Sequence, residues 1–417
     1  MIQIFKIAIR NLLRYKRRTF MTSLLIVIGI VMVIVFTGVS SSFKNMMIGQ
    51  ITDSMLGHLQ IHRRGYVSSI DNLPLHLNIK GEGIKRIERL LADNDESIES
   101  YSVRLKFGAM LSNFEQTSNV RLNAVYPEME SQTCPNLVNR FKDKASGENM
   151  FITAGKIIIP ENLANGMKLE RADEIVLVAT NQDGSVNGIS LKVAGVIEGL
   201  VGPGGRDGYI HMEDAQTLLR TNGNEINEIA IRIKDFNDIE SVREKIETEL
   251  SQILNQNKQP MFELHDWASL SPFSNIASMV DILIITIKIV LVSIVLISIL
   301  NIMMMSVYER VSEIGTISAI GTAPSKILGL FIAEGFSLGL VSTVMGNLIG
   351  IVALYVINVS DIHFSFGRMQ EILLETAISN EELITVSTLV LFLTVMASLQ
   401  PAFKASKMEP VDALRHV

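Results

Sequence analysis

Four stretches of apolar residues set the pattern of this chain, at residues 20–43, 276–307, 327–357 and 383–400. Each is close to or longer than the roughly 20 residues that a helix needs to cross a hydrocarbon core of about 30 Å. The pattern therefore predicts four transmembrane helices, joined by polar segments of very different length.

The longest polar segment, residues 44–275, predicts a folded domain on one side of the membrane. Apolar residues at helical spacing predict helices around Ile84–Leu91 and over Ile239–Leu254. Alternation of apolar and polar residues predicts strands at His58–His62, 101–110, 117–126, Lys156–Ile159, Glu174–Ala179, Ile189–Glu198, Ile226–Ile233 and Met261–Leu264. The predicted fold class is thus a four-helix membrane protein with a large extracytoplasmic α+β domain between its first and second membrane helices. A β-rich insert at about residues 127–210 is expected to interrupt that domain.

Lysine and arginine are unevenly distributed around the apolar stretches. Residues 1–18 hold six of them and no carboxylate, interleaved with apolar residues, which predicts a basic amphipathic helix on an anionic membrane surface. A simple topology signal is the alternative interpretation. In the acidic loop at residues 358–382, Arg368 is the only Lys or Arg, whereas Lys404 and Lys407 follow the fourth stretch. By the positive-inside rule we expect both termini to be cytoplasmic and the large domain to be extracytoplasmic.

These patterns divide the chain into nine parts. They are the cytoplasmic amphipathic helix 1–19, transmembrane helix 20–43, extracytoplasmic domain 44–275, transmembrane helix 276–307, cytoplasmic polar segment 308–326, transmembrane helix 327–357, extracytoplasmic loop 358–382, transmembrane helix 383–400 and cytoplasmic tail 401–417.

Two charges interrupt the second apolar stretch, Asp281 and Lys288. A charge at the bilayer centre is costly, so we expect Lys288 to extend to the outer headgroups while residues 273–286 continue the helix above the membrane. A functional intramembrane lysine is the alternative.

The short polar segment 308–326 has an amphipathic pattern. Val311, Ile314, Ile317 and Ile320 recur at helical spacing, and the charged residues lie off that stripe. Gly321 then ends the helix, and Pro324 is suited to the first turn of the next one. The pattern predicts a short interfacial helix that a partner can contact from outside the membrane.

The same segment carries a family signature. ER-x-x-EIG-x-x-x-A-x-G at residues 309–321, followed by Ile327, Phe331 and Glu334, resembles the FtsX-like permease family, and the tail from Pro401 to Arg415 resembles that family's ending. The family includes macrolide-exporter and lipoprotein-release permeases. The resemblance implies that residues 308–326 form a coupling segment whose helix docks on a separate ATP-binding subunit. It also implies a bacterial inner membrane, with the domain 44–275 and the loop 358–382 in the periplasm.

The resemblance also implies the site residues. The expected ATPase-coupling residues are Glu309, Arg310, Val311, Glu313, Ile314, Gly315, Ile317, Ala319, Gly321 and Glu334. We expect Arg310 and Glu313 to face the groove of the ATPase as a charged pair, with the stripe of Val311, Ile314 and Ile317 filling that groove. Glu334 is expected at the cytoplasmic start of the third membrane helix, where a helix N-terminus favours an anion.

Glycines at four-residue spacing punctuate the third apolar stretch. The pairs Gly335/Gly339 and Gly346/Gly350 allow close approach of helix backbones, which predicts helix packing. A hinge is the alternative.

The sequence contains none of the motifs that we tested for catalysis. Ala154-Gly155-Lys156 lacks the leading glycine and the following Ser or Thr of a phosphate loop, and we interpret Gly202–Gly205 as a plain loop. His58 and His62 lie on a strand and do not match a helical zinc motif. The single cysteine, Cys134, excludes a disulfide within the chain, and the net charge of −6 gives no indication of nucleic-acid binding. We expect a non-enzymatic permease with no cofactor of its own, whose partner ATPase binds ATP and Mg.

Three functions remain open at this stage. The first is release of lipoproteins to a soluble periplasmic carrier, the second is efflux of hydrophobic molecules or peptides through an adaptor protein, and the third is ATP-driven signalling to a periplasmic cell-wall hydrolase. In each, the expected partners are an ABC ATPase, a second permease copy and the membrane.

Overall fold

The computed structural model describes residues 2–14, 16–141, 152–198, 207–221, 225–360, 363–366, 369–373 and 376–409. The chain forms two compact units. We call Met1–Met46 with Ala277–Val417 the helical unit, and Met47–Ile276 the sheet unit.

The described residues form twelve α-helices. These are α1 (Ile2–Arg14), α2 (Lys16–Ile51), α3 (Gly81–Asp93), α4 (Pro127–Thr133), α5 (Glu161–Met167), α6 (Met212–Leu219), α7 (Ile239–Ser251), α8 (Trp267–Leu270), α9 (Phe273–Glu309), α10 (Val311–Ala319), α11 (Pro324–Val359) and α12 (Asn380–Ser406).

They also form eleven strands. These are β1 (Leu59–Arg63), β2 (Ile98–Ser112), β3 (Thr117–Val125), β4 (Lys156–Pro160), β5 (Glu174–Thr180), β6 (Val186–Ile197), β7 (Asp207–His211), β8 (Glu228–Ile233), β9 (Phe262–Asp266), β10 (His363–Phe366) and β11 (Met369–Leu373).

Four long helices of the structure are long and apolar enough to cross a membrane. They are α9, α11, α12 and the helix Thr19–Leu56, in which a π-helical turn extends α2. The helices run beyond the apolar stretches at both ends, because hydrogen bonding along a helix does not stop where the hydrophobic residues stop.

The helix α12 corrects one expectation, since it continues through Pro401 to Ser406 and does not end at the proline. Proline removes one backbone donor and normally kinks or ends a helix. Here Pro401, Ala402 and Ala405 are all buried, so packing of the last turns offsets the lost hydrogen bond.

The charged residue Asp281 has a partner within the helical unit. Lys44 on α2 donates a hydrogen bond of 2.7 Å to the Asp281 carboxylate on α9. Lys288, two turns further along α9, is half-buried, and its extension to the headgroups stays a prediction.

A single nine-stranded sheet organises the sheet unit, in the order β3-β7-β4-β6-β5-β2-β8-β1-β9. Because β3 also pairs with β2, six of these strands close into a barrel. The long strand β2 belongs to both parts: Ile98–Arg104 pairs with β8, and Arg104–Ser112 pairs with β3.

The expected β-rich insert at about residues 127–210 contains the strands β4 to β7, which join the same sheet as β2 and β3. Its bounds as an insert stay a prediction. The parallel pairing of β3 with β7 connects residues far apart in sequence, and no local pattern indicates it. All the predicted strands are confirmed with shifts of a few residues, as are α3 and α7. The strand β7 was not predicted from the sequence. The glycine cluster Gly202–Gly205, which precedes it, and the tail residues Pro410–Arg415 lie outside the described residues.

Charged side chains are buried where β1, β2 and β8 meet. Arg104 donates to Glu130 at 2.7 and 2.9 Å and to Glu228 at 2.7 Å. Lys106 donates to the second oxygen of Glu228 at 2.6 Å, and His62 Nε2 lies 3.3 Å from that same oxygen. Buried charges need such partners, since each loses its hydration on folding. The network therefore holds His62 in a structural position, stacked on Tyr66.

Candidate coupling site

The polar segment forms a helix–turn between two membrane helices. α9 ends at Glu309, and Arg310 leaves helical geometry at φ −113° and ψ 23° before α10 begins. Gly321 has φ +90°, a conformation that glycine adopts without steric cost. Pro324 then opens α11 in its first turn, as predicted.

Arg310 points inward, with only 5% of its surface exposed. Its Nη1 donates to both carboxylate oxygens of Glu334, at 2.9 and 3.1 Å, and its Nε donates to Glu313 at 3.1 Å. The guanidinium also lies 5.5 Å from the ring centre of Phe331. The prediction that Arg310 faces a partner's groove is therefore wrong, because the arginine points into the chain and binds the buried carboxylate of Glu334.

Glu334 lies deeper than predicted. The helix α11 begins at Pro324, so Glu334 is almost three turns from the helix N-terminus and is only 3% exposed. The helix dipole acts within the first turn and so does not explain an anion here. Arg310 and the amide of Asn11, which donates to Glu334 Oε1 at 2.7 Å, compensate this carboxylate.

The apolar stripe of α10 also packs inside the helical unit. Ile314 is buried in a cluster with Val307, Ile327, Phe331, Ala402 and Ala405. Gly315 is buried beside it, while Val311 and Ile317 are half-buried. The prediction that Ile314 fills a partner's groove is wrong, because α9, α11 and α12 already cover that stripe.

The opposite face of α10 and its following turn are open. This coupling surface consists of Ser312, Thr316, Ala319 and Ile320, all exposed, with Ile320 at 79%. Glu309 and Gly321 are exposed at its two ends. Ser312 and Thr316 were not among the predicted site residues, although their spacing of four residues, out of phase with Ile314, indicates the outer face of a helix.

The four glycines of α11 lie at contacts with two different helices. A Cβ on Gly335 or Gly339 would overlap Ser398 or Thr394 of α12. A Cβ on Gly346 or Gly350 would lie 2.8 or 2.9 Å from Ile30 or Ile34 of α2. Real Cβ atoms do not approach neighbours so closely, so these positions have no room for a larger residue. The first glycine pair of α11 thus lies against α12, and the second pair lies against α2.

Comparisons with known proteins agree with this architecture. Residues 19–249 match the MacB-like periplasmic core domain, and residues 284–410 match the FtsX-like permease C-terminal region. The lipoprotein-releasing system transmembrane protein LolC of Haemophilus influenzae is 32% identical over 27% of this chain and 28% of its own length. LolC of Neisseria meningitidis serogroup B is 20% identical over 98% of both chains. The macrolide export ATP-binding/permease protein MacB of Bdellovibrio bacteriovorus is 25% identical over 55% of this chain and 35% of its own length.

Coverage of these relatives is uneven: the chain spans between 28% and 54% of the length of the first curated relatives that it matches. The match to the core-domain family, residues 19–249, covers more than half of the 417 residues. The chain therefore belongs to the FtsX-like ABC transporter permeases that carry a MacB-like periplasmic core domain.

Proposed function

We propose that this chain is the permease subunit of an ABC transporter and that a separate ATPase docks on the coupling surface of α10. One observation carries the proposal: the segment between α9 and α11 turns Arg310 inward onto Glu334 and leaves Ser312, Thr316, Ala319 and Ile320 open. The exposed Ile320 lies on a surface whose other side chains are small. Such a side chain fits an apolar groove at the centre of an interface, where most binding energy is concentrated.

The rest of the transporter is supplied by other subunits. ATP and Mg are bound by the ATPase, and this chain contributes no catalytic group. A second permease copy completes the membrane part, since much of the apolar surface of α9 is exposed in the single chain, including Ile282, Leu283 and Ile285. The termini and the coupling surface face the cytoplasm, and the sheet unit faces the periplasm.

The proposed substrate is a lipoprotein, released from the inner membrane for transfer to the outer membrane. The similarity to a lipoprotein-releasing transmembrane protein over 98% of both chains supports this choice. Macrolide export is the second candidate, because the MacB relative shares more than half of this chain at 25% identity.

Purification from the native membrane in mild detergent, followed by identification of the co-purifying proteins, tests the proposal. We expect an ABC ATPase together with lipoproteins or a soluble lipoprotein carrier. Recovery of the ATPase with a membrane-fusion adaptor would favour export and overturn the substrate assignment. Absence of any ATPase would overturn the coupling role itself.

A further inference from the structure

The N-terminal helix α1 makes a polar contact inside the helical unit. It packs along α11, with Ala8 fully buried. Asn11 Nδ2 donates at 2.7 Å to Glu334 Oε1, the same oxygen that accepts from Arg310 Nη1 at 2.9 Å. Glu334 Oε1 therefore connects α1 to Arg310, the residue that immediately precedes the coupling helix α10.

The position of the Glu334 carboxylate depends on its hydrogen-bond donors, because a buried negative charge needs them. Glu334 is almost fully buried, and within the described part of the chain Arg310 and Asn11 donate hydrogen bonds to its carboxylate. Hydrogen bonds to a buried charge are stronger than neutral ones and costly to lose. Without the Asn11 amide, the donors to this carboxylate among the described residues all belong to Arg310, so we expect the carboxylate to turn with the arginine.

The second contact between α1 and this network is weaker. Arg14 Nη1 lies 3.8 Å from Glu313 Oε1, and the two side chains are 70% and 36% exposed. An exposed pair at that distance contributes little. The part-buried hydrogen bond from Asn11 to Glu334 is therefore the stronger of the two contacts that α1 makes with this network.

We infer that Asn11 is a positioning residue for ATPase coupling: it orients the Glu334 carboxylate, which through Arg310 sets the start of α10 and the direction of the coupling surface. This inference rests on the proposed function. In this account α1 helps to position the coupling surface, in addition to any contact that its basic residues make with lipid.

The first experiment measures ATP turnover by the native ATPase with the full-length permease in lipid nanodiscs. We expect Asn11→Leu, similar in size but without the donor, to lower kcat about tenfold at unchanged KM for ATP. Asn11→Gln keeps an amide donor and should recover part of the rate. If Asn11→Leu does not insert, Asn11→Ala carries the same expectation.

The matched control is Ser23→Ala. Ser23 Oγ lies 3.0 Å from Ser342 Oγ, so it also joins an N-terminal helix to α11, but without contact to Glu334. We expect wild-type turnover from this variant. Equal loss in Ser23→Ala and Asn11→Leu, or no loss in either, would overturn the inference.

A second experiment does not need the ATPase. A spin label on Thr316→Cys reports the mobility of the coupling surface, and the only native cysteine, Cys134, is buried. We expect Asn11→Leu to increase the mobility of the label and Ser23→Ala to leave it unchanged. An unchanged spectrum in Asn11→Leu would overturn the inference even if turnover falls. If no ATPase binds the wild-type chain, the proposed function fails while this readout still decides the role of Asn11.

Discussion

At the scale of single residues, the carboxylate of Glu334 accepts hydrogen bonds from two directions and is almost inaccessible to solvent. Removal of one partner from a buried ion pair is more damaging than the net value of the pair, because the remaining charge is left uncompensated. If Glu334 were replaced by a neutral residue, the buried guanidinium of Arg310 would be the uncompensated charge. We therefore expect removal of one partner to be more damaging than replacement of both by apolar residues.

We predict that Glu334→Gln destabilises the helical unit by about 3–5 kcal/mol, seen as a lower midpoint of thermal unfolding in detergent. Glu313→Gln is the matched control, since Glu313 is 36% exposed and also bonds Arg310, and should cost less than about 1 kcal/mol. The double variant Arg310→Met/Glu334→Leu should be more stable than Glu334→Gln alone. Equal effects of Glu334→Gln and Glu313→Gln would contradict this account.

A second residue-scale prediction concerns pH. Burial lowers the pKa of His62 from its usual value, against the opposing effect of Glu228. Lys106 and His265 also face the ring and lower its pKa. Below about pH 6.5 the unfolded chain therefore binds a proton that the folded chain resists, so stability falls as pH falls from that value through the folded pKa of His62.

Fluorescence of the single tryptophan, Trp267, measures this effect, because Trp267 lies in the sheet unit and is nearly buried. We expect the unfolding midpoint to fall between pH 7 and pH 5, and the fall to be smaller in His62→Gln, which cannot titrate. A pH dependence identical in both chains would show that other groups, and not His62, carry it.

At the scale of elements, the coupling helix α10 has one face committed to the protein and one face open. We predict that Ile320→Asp abolishes binding of the ATPase, because a charge at the centre of an apolar interface is not compensated there. Val359→Asp is the matched control at the opposite end of α11, where Val359 is 63% exposed. Pull-down of the ATPase by each variant decides the matter, and retention by Ile320→Asp would exclude the coupling surface as the docking site.

The contact between α11 and α2 gives another prediction. Gly346→Leu places a side chain against Ile30 and should destabilise the helical unit by about 1–3 kcal/mol through overpacking. Adding Ile30→Ala should restore part of the thermal midpoint because it frees volume at the same contact. If Ile30→Ala lowers the thermal midpoint of the Gly346→Leu variant further, the close approach of α11 and α2 does not limit the size of residue 346.

The elements could be predicted from the sequence more reliably than the faces that they present. Periodicity indicates where α10, β2 or α11 lies because it records which residues avoid water. It does not record which neighbour covers them, so Ile314 and Ile320, equivalent in the pattern, differ completely in exposure. Arg310 was misplaced for the same reason, since its buried partner lies 24 residues away. The closure of the barrel depends on β3 pairing with β7, which is equally non-local.

At the scale of the whole molecule, we predict that the coupling surface and the sheet unit label from opposite sides of the membrane. Single cysteines at Thr316 and at Glu170, both exposed, should react with an impermeant maleimide from the cytoplasm and the periplasm respectively. Burial raises the pKa of Cys134 to about 12, so the native thiol stays protonated and slow to react near neutral pH. Labelling of both positions from one side would contradict the four-span topology.

The long strand β2 has a mechanical consequence for the sheet unit. It passes without interruption from the open part of the sheet into the barrel, and its two halves pair with β8 and β3. A pull along this strand loads the backbone in tension and must shear both ladders at once, instead of stretching a loop. We therefore expect the barrel and the open sheet to resist bending relative to each other at the point where β2 passes between them.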